Sequence, residues 1–207
     1  NLCVLVAVVV VVSPLDWSGV VKELLAATLY VSNLFYAQQA QNYFNSDLSN
    51  SVLLHTWSLS VEEQFYVVWP LLILGAGWLA RRRTRLSRAQ VLVAVLGVVT
   101  VVSFGVSVLK TARGEPTAFY GLESRAWEFG LAGLLACAAP LLRARRSAPF
   151  AAAAGWAGSG LLVVSMTVIG HGTSFPGIAA LLPVGATLLL IVAGTAGWSP
   201  VSRLLAL

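Results

Sequence analysis

Residues 55–70 read His-Thr-Trp-Ser-Leu-Ser-Val-Glu-Glu-Gln-Phe-Tyr-Val-Val-Trp-Pro. A histidine, hydroxyls, two carboxylates and an amide stand together at the mouth of an apolar segment. Ionisable groups are costly in such a setting and mark a functional site by default. On a helix Glu62 shares a face with Ser58, Tyr66 and Trp69, an acid above aromatics. One reading of Glu62 is a water-exposed acid favoured by the positive end of a helix. That reading leaves Trp57, Ser58, Gln64 and Tyr66 around it without a purpose, so Glu62 is the first catalytic candidate and those four are candidate substrate-binding groups. His55 is a second catalytic candidate, as general base or orienting group, the alternative being a loop hydrogen-bond donor. Ser60-Val-Glu-Glu63 fits a capping box, with Ser60 as N-cap and Glu63 reaching back to its backbone N–H. These two residues are therefore expected to be structural.

A second polar mouth lies in Arg125-Ala-Trp-Glu128. Arg125 and Glu128 are three residues apart, which suits an ion pair within one helix. A guanidinium at a bundle entrance is expensive unless paired, which favours a cavity-facing Arg125 that binds an anionic group or neutralises Glu62. Arg125 is thus a third catalytic candidate and Glu128 a binding candidate. Arg125 and Glu62 are expected to face one polar cavity. His171, in a short Gly-Thr-Ser loop, reads as structural or solvated. Cys3 and Cys137 sit in apolar runs without ligand partners, so neither a disulfide nor a metal site is expected.

The elements that carry these groups are membrane helices. Hydrophobic residues make up 58% of the 207 residues and charged residues only 10%, against about 25% charged in a soluble domain. The mean hydropathy is +0.84. A spanning helix takes about 20 apolar residues; residues 91–109, 148–170 and 178–194 qualify. Residues 65–80 and 125–142 qualify once their polar first turns join the helix. Residues 2–12 read as the tail of a span, and 20–36 is weaker, interrupted by Lys22, Glu23 and Asn33. The expected fold is all-α, a polytopic transmembrane helix bundle forming one domain over residues 1–207 and incomplete at both ends, since the chain opens on Asn1 inside an apolar run.

The net charge of +5 comes largely from two clusters, Arg81–Arg88 and Arg143–Arg146. Clusters between apolar segments are topology signals that face the cytoplasm, and they do not indicate a nucleic-acid partner. That orientation puts the 55–64 mouth outside, provided residues 20–36 do not cross the membrane as a full span.

Three stretches, in order along the chain, resemble the acyltransferase-3 family of integral membrane enzymes: residues 55–72, residues 120–135 around Arg-Ala-Trp-Glu, and Phe175-Pro-Gly-Ile-Ala-Ala-Leu-Leu-Pro183. The Ser32-Asn33 pair fits the same pattern. The resemblance implies a bundle of about ten membrane helices. It also implies an O-acyltransferase that moves an acyl group, typically acetyl, from an acyl-CoA co-substrate to a hydroxyl of a glycan or lipid-linked sugar. No bound cofactor is implied. The setting is a bacterial inner membrane, and the product a modified cell-envelope polysaccharide. Members carry an arginine and a histidine in a first helix linked to catalysis, and neither residue is in this chain. The histidine is the family's candidate base, which Glu62 would orient, while Arg125 would hold phosphate or carboxylate groups. The rival class is a membrane transporter or flippase for a polar or anionic substrate, since acids and arginines at the mouths of kinked helices also mark substrate pathways.

Overall fold

The computed structural model describes residues 17–41, 51, 53–82, 86–144, 148–170 and 172–194. The expectations for residues 2–12, Cys3, Arg83–Arg85, Arg145, Arg146 and His171 lie outside the described residues. Among the described residues all regular structure is helical. The helices are α1 (Trp17–Thr28), α2 (Ser32–Gln41), α3 (Thr56–Arg82), α4 (Arg88–Ala112), α5 (Thr117–Tyr120), α6 (Ala126–Ala144), α7 (Ala148–Val168) and α8 (Leu181–Gly194), with a 3₁₀ turn at Ile178–Ala180 before α8. The most extensive packing is α7 on α8 and α6 on α4, followed by α3 on α4 and α2 on α3.

Among the described residues three helices are long and apolar enough to cross a membrane: Thr56–Arg82, Arg88–Ala112 and Pro149–Val168. The polar turn at residues 61–64 does join the apolar run after it, which gives α3 its 27 residues. Residues 20–36 do not form one helix. α1 and α2 have 12 and 10 residues, each far short of the ~20 needed to span. α1 ends in a Schellman arrangement: the Val31 N–H bonds Ala26 O at 2.8 Å, and the Tyr30 N–H bonds Ala27 O at 3.3 Å. Tyr30 takes the left-handed conformation this cap requires, with φ 54°, at a position glycine usually fills.

The capping box expected at Ser60 and Glu63 does not form. A turn at Leu53–His55 starts α3 at Thr56, ahead of the expected cap, with Thr56 N–H and Oγ1 both bonded to Leu53 O, at 2.9 and 2.7 Å. Ser60 therefore lies in the second turn, where its Oγ donates to Thr56 O at 3.1 Å. Glu63 makes no hydrogen bond to a described residue. A capping box occurs instead at α4: Ser87 Oγ accepts from the Gln90 N–H, and the Gln90 side chain accepts from the Ser87 N–H.

Small residues set the closest helix contacts, as expected for membrane helices. A methyl group on Gly158 of α7 would lie 2.9 Å from Ala186 O of α8, and one on Gly130 of α6 would overlap Thr100 Oγ1 of α4. Gly130→Ala should therefore cost about 1–3 kcal/mol, the range for overpacking a filled contact. Thr100→Ala in the same chain should restore most of the loss. Thermal unfolding of the single and double variants in detergent tests this, and a Gly130→Ala protein as stable as its parent would refute the contact.

Candidate functional site

The first turns of α3 are stitched to the α1–α2 break. Gln64 Nε2 donates to Tyr30 O and to Asn33 Oδ1, both at 2.9 Å. Asn33 Nδ2 donates to Gln64 Oε1 at 3.4 Å and to Tyr120 O at 3.2 Å. The Ser32 N–H bonds Ser60 Oγ at 3.2 Å, and Thr56 Oγ1 bonds Ser32 Oγ at 3.0 Å. Ser32, Asn33 and Ser60 are all buried. Gln64, expected among substrate-binding groups, thus has both amide hydrogens committed to the protein. Asn33 is not among the expected site residues, although the Ser32-Asn33 pair that fits the family pattern points to it.

Beside this seam lies a cation–aromatic cluster. Trp57, in the first turn of α3, packs against Phe119 at 4.7 Å and Tyr120 at 5.3 Å between ring centroids. The Arg125 guanidinium lies 4.9 Å from the Trp57 ring and 5.1 Å from the Phe119 ring. Arg125 Nε donates to Phe119 O at 2.9 Å, and its Nη1 is 3.8 Å from Glu128 Oε1. Arg125 thus pairs with Glu128, as their spacing suits, while its guanidinium lies against the rings at the mouth of α3. The side chains of Arg125 and Glu128 are only 17% and 23% exposed. A desolvated cation–aromatic contact is worth ~2 kcal/mol, which helps to keep the guanidinium there.

Arg125 and Glu128 also line one end of a 360 Å³ cleft between α6 and α8, walled by Phe129, Phe175, Pro183, Val184 and Ile191. Phe175 reaches the Phe119 ring at 6.2 Å, so the cleft continues the aromatic cluster. A largely apolar cleft whose charged lining is a mutually neutralised ion pair suits an acyl group better than a free anion.

Glu62 is not part of this cleft. Its carboxylate is exposed and accepts a 2.7 Å hydrogen bond from Tyr66 Oη. Among the described residues it forms neither an ion pair nor a hydrogen bond with Arg125, and the cleft that Arg125 lines does not include it. The reason is helical phase: five residues separate Glu62 from Trp57, which turns it about 140° around α3. His55 is exposed, and no described residue bonds its ring. Ser58 Oγ donates to His55 O at 3.2 Å. The structure therefore gathers Trp57, Arg125 and Glu128 on one side of α3 and leaves Glu62 and Tyr66 on another.

Residues 2–207 match a family model described as an acyltransferase domain. The chain is 30% identical over 122 residues to the Bacillus subtilis protein named "Putative peptidoglycan O-acetyltransferase YrhL", covering 58% of this chain and 18% of that protein. It is 38% identical over 72 residues to O-acetyltransferase OatA of Staphylococcus aureus, covering 35% and 12%. It is 30% identical over 131 residues to peptidoglycan O-acetyltransferase OatA of Listeria monocytogenes, covering 60% and 20%. The chain thus spans a fifth or less of the length of these relatives. No solved structure matches it.

Arg125 bonds through Nε and stacks through its planar guanidinium, and an ammonium group does neither in this geometry. Arg125→Lys should therefore lower thermal stability nearly as much as Arg125→Ala, by about 1–3 kcal/mol, the cost of leaving buried partners unpaired. Unfolding curves for the two variants in detergent check this. A Lys variant that matches the parent would reduce Arg125 to a generic positive charge.

Proposed function

Because the chain belongs to the acyltransferase family whose model spans residues 2–207, we propose that it forms membrane-embedded machinery of an O-acyltransferase. The donor is an acyl-CoA thioester, with acetyl as the favoured acyl group. The acceptor is a hydroxyl of a glycan or lipid-linked sugar at the bacterial plasma membrane, with peptidoglycan favoured by the names of two relatives. One observation carries the reading. The three separated stretches that resemble the family come together: Trp57 packs on Tyr120 and under the Arg125 guanidinium, and Phe175 lines the same cleft as Arg125 and Glu128.

The reaction passes through a tetrahedral intermediate, so the acceptor hydroxyl has to lose a proton as it attacks the acyl carbon. The cleft between α6 and α8 supplies apolar walls for the acyl group, with Arg125 and Glu128 at its polar end. Glu62 and Tyr66 stand on a face of α3 that is otherwise apolar and largely uncovered. Only 11% of the most apolar stretch of α3 is buried, against 28% for α4 and α7. That face is where Glu62 would meet the histidine that family members carry in a helix outside this sequence, orienting and charge-balancing it as a base.

The two neighbouring carboxylates separate the charge requirement from local structure. In the full-length enzyme Glu62→Gln should keep the Tyr66 hydrogen bond and the fold but reduce acyl transfer about 100-fold or more, the scale of losing a base system. Glu63→Gln should retain activity within a few-fold. Transfer of radiolabelled acetyl from acetyl-CoA to membrane glycan measures both. Equal effects from the two substitutions would remove Glu62 from the mechanism.

A further inference from the structure

A second polar centre lies in the helices before the mouth. Glu23 of α1 is 9% exposed and has no cation beside it among the described residues. Its partner is Ser51, whose Oγ lies 2.8 Å from Glu23 Oε2. Tyr36 of α2, fully buried, places its Oη 3.0 Å from the same Ser51 Oγ. An uncompensated buried carboxylate is costly, and residue 51 lies just ahead of the turn that starts α3.

Counting protons fixes the direction of both bonds. Ser51 Oγ donates to Glu23 Oε2, and a serine has one hydroxyl proton, so that proton points at Glu23. Tyr36 is then the donor to Ser51 Oγ. Burial holds the Tyr36 phenol up at about 12, so it keeps its proton at neutral pH. Ser51 thus has a base on its proton and leaves a lone pair for an electrophile. A hydroxyl within hydrogen-bond reach of a base is the arrangement that activates a covalent nucleophile.

We infer that Ser51 is a nucleophile that carries the acyl group between donor and acceptor, with Glu23 as its base. The inference rests on the O-acyltransferase reading above. In the first half, Ser51 Oγ bonds to the acyl carbon while its proton passes to Glu23. The carbon–sulfur bond breaks, and the thiolate leaves and takes a proton from solvent. In the second half, the acceptor oxygen bonds to the acyl carbon, its proton passing to its own base and on to solvent. The bond to Ser51 Oγ breaks, Glu23 returns the proton, and the Tyr36 hydroxyl supports the departing serine oxygen.

The test uses the full-length enzyme in detergent with deuterated acetyl-CoA and no acceptor, followed by acid quench and peptide mass spectrometry. The label is expected on the peptide that holds residue 51, with Ser51→Ala abolishing it and Glu23→Gln slowing its formation about 100-fold. Ser51→Cys should accept the label as a thioester, which guards against an alanine variant that fails to fold. Tyr36→Phe should make the labelled enzyme persist longer when acceptor is added. Wild-type enzyme that transfers acetyl to acceptor without labelling residue 51, or Ser51→Ala that transfers within a few-fold of wild type, overturns the inference and leaves the O-acyltransferase reading intact. Wild-type enzyme that shows neither label nor transfer from acyl-CoA overturns both.

Discussion

The site rests on how the backbone is satisfied where α1 ends. The turn at Tyr30 leaves a carbonyl at Tyr30 and an N–H at Ser32 without helical partners. An unpaired buried group of this kind costs about 1–3 kcal/mol. α3 supplies both partners, Gln64 for the carbonyl and Ser60 for the N–H. With those two bonds made, α2 is fixed in register on α3, and Asn33 is placed where its amide reaches Tyr120 O. That last bond holds α5 against Trp57. The cluster of Trp57, Phe119, Tyr120 and Arg125 follows from the repair of one helix break.

This changes what the polar residues of the 55–64 run are for. Thr56, Ser60 and Gln64 face inward and hold neighbouring backbone. Glu62 and Tyr66 face outward with Leu59 and Ile73, both exposed. α3 is a helix with two duties on two faces. Its polar residues belong to different circuits although they are adjacent in sequence, and a substitution on one face tests folding while one on the other tests chemistry.

Composition and charge pattern made the helical membrane architecture legible, because long uninterrupted apolar runs have few alternatives. The charge-free stretch at 91–109 lies within α4, and the pairing of Arg125 with Glu128 follows from their spacing. What was not legible depended on contacts between residues far apart in sequence. The Ser60–Glu63 pattern has the form of a capping box, yet a turn at Leu53–His55 starts the helix first and turns Ser60 into a partner for Ser32, 28 residues away. The break after α1 carries no glycine, because Tyr30 adopts the left-handed conformation with its carbonyl held by Gln64. The expected meeting of Glu62 with Arg125 fails on helical phase, which could be read only once the start and orientation of α3 were known.

The device that seals α2 recurs at α6. Ser103, in the interior of α4, donates from Oγ to Glu123 O at 2.7 Å and accepts from the Trp127 N–H at 2.9 Å. A hydroxyl from a long helix thereby completes the first turn of the helix that carries Arg125 and Glu128, as Ser60 does for the helix that carries Asn33. The N-terminal N–H groups of a helix lack intrahelical partners, so capping them from a neighbour rather than locally ties the start of one helix to a fixed position on another. A slide of α6 along α4 by one turn would strand the Trp127 N–H and drive Gly130 off Thr100 into larger neighbours. A slide of α2 along α3 would strand Ser32. Both motif-bearing helices are consequently locked at the end where the aromatic cluster and the cleft meet. That precision is what an acyl group and an attacking hydroxyl need, since misplacement by about 1 Å costs about 100-fold in rate.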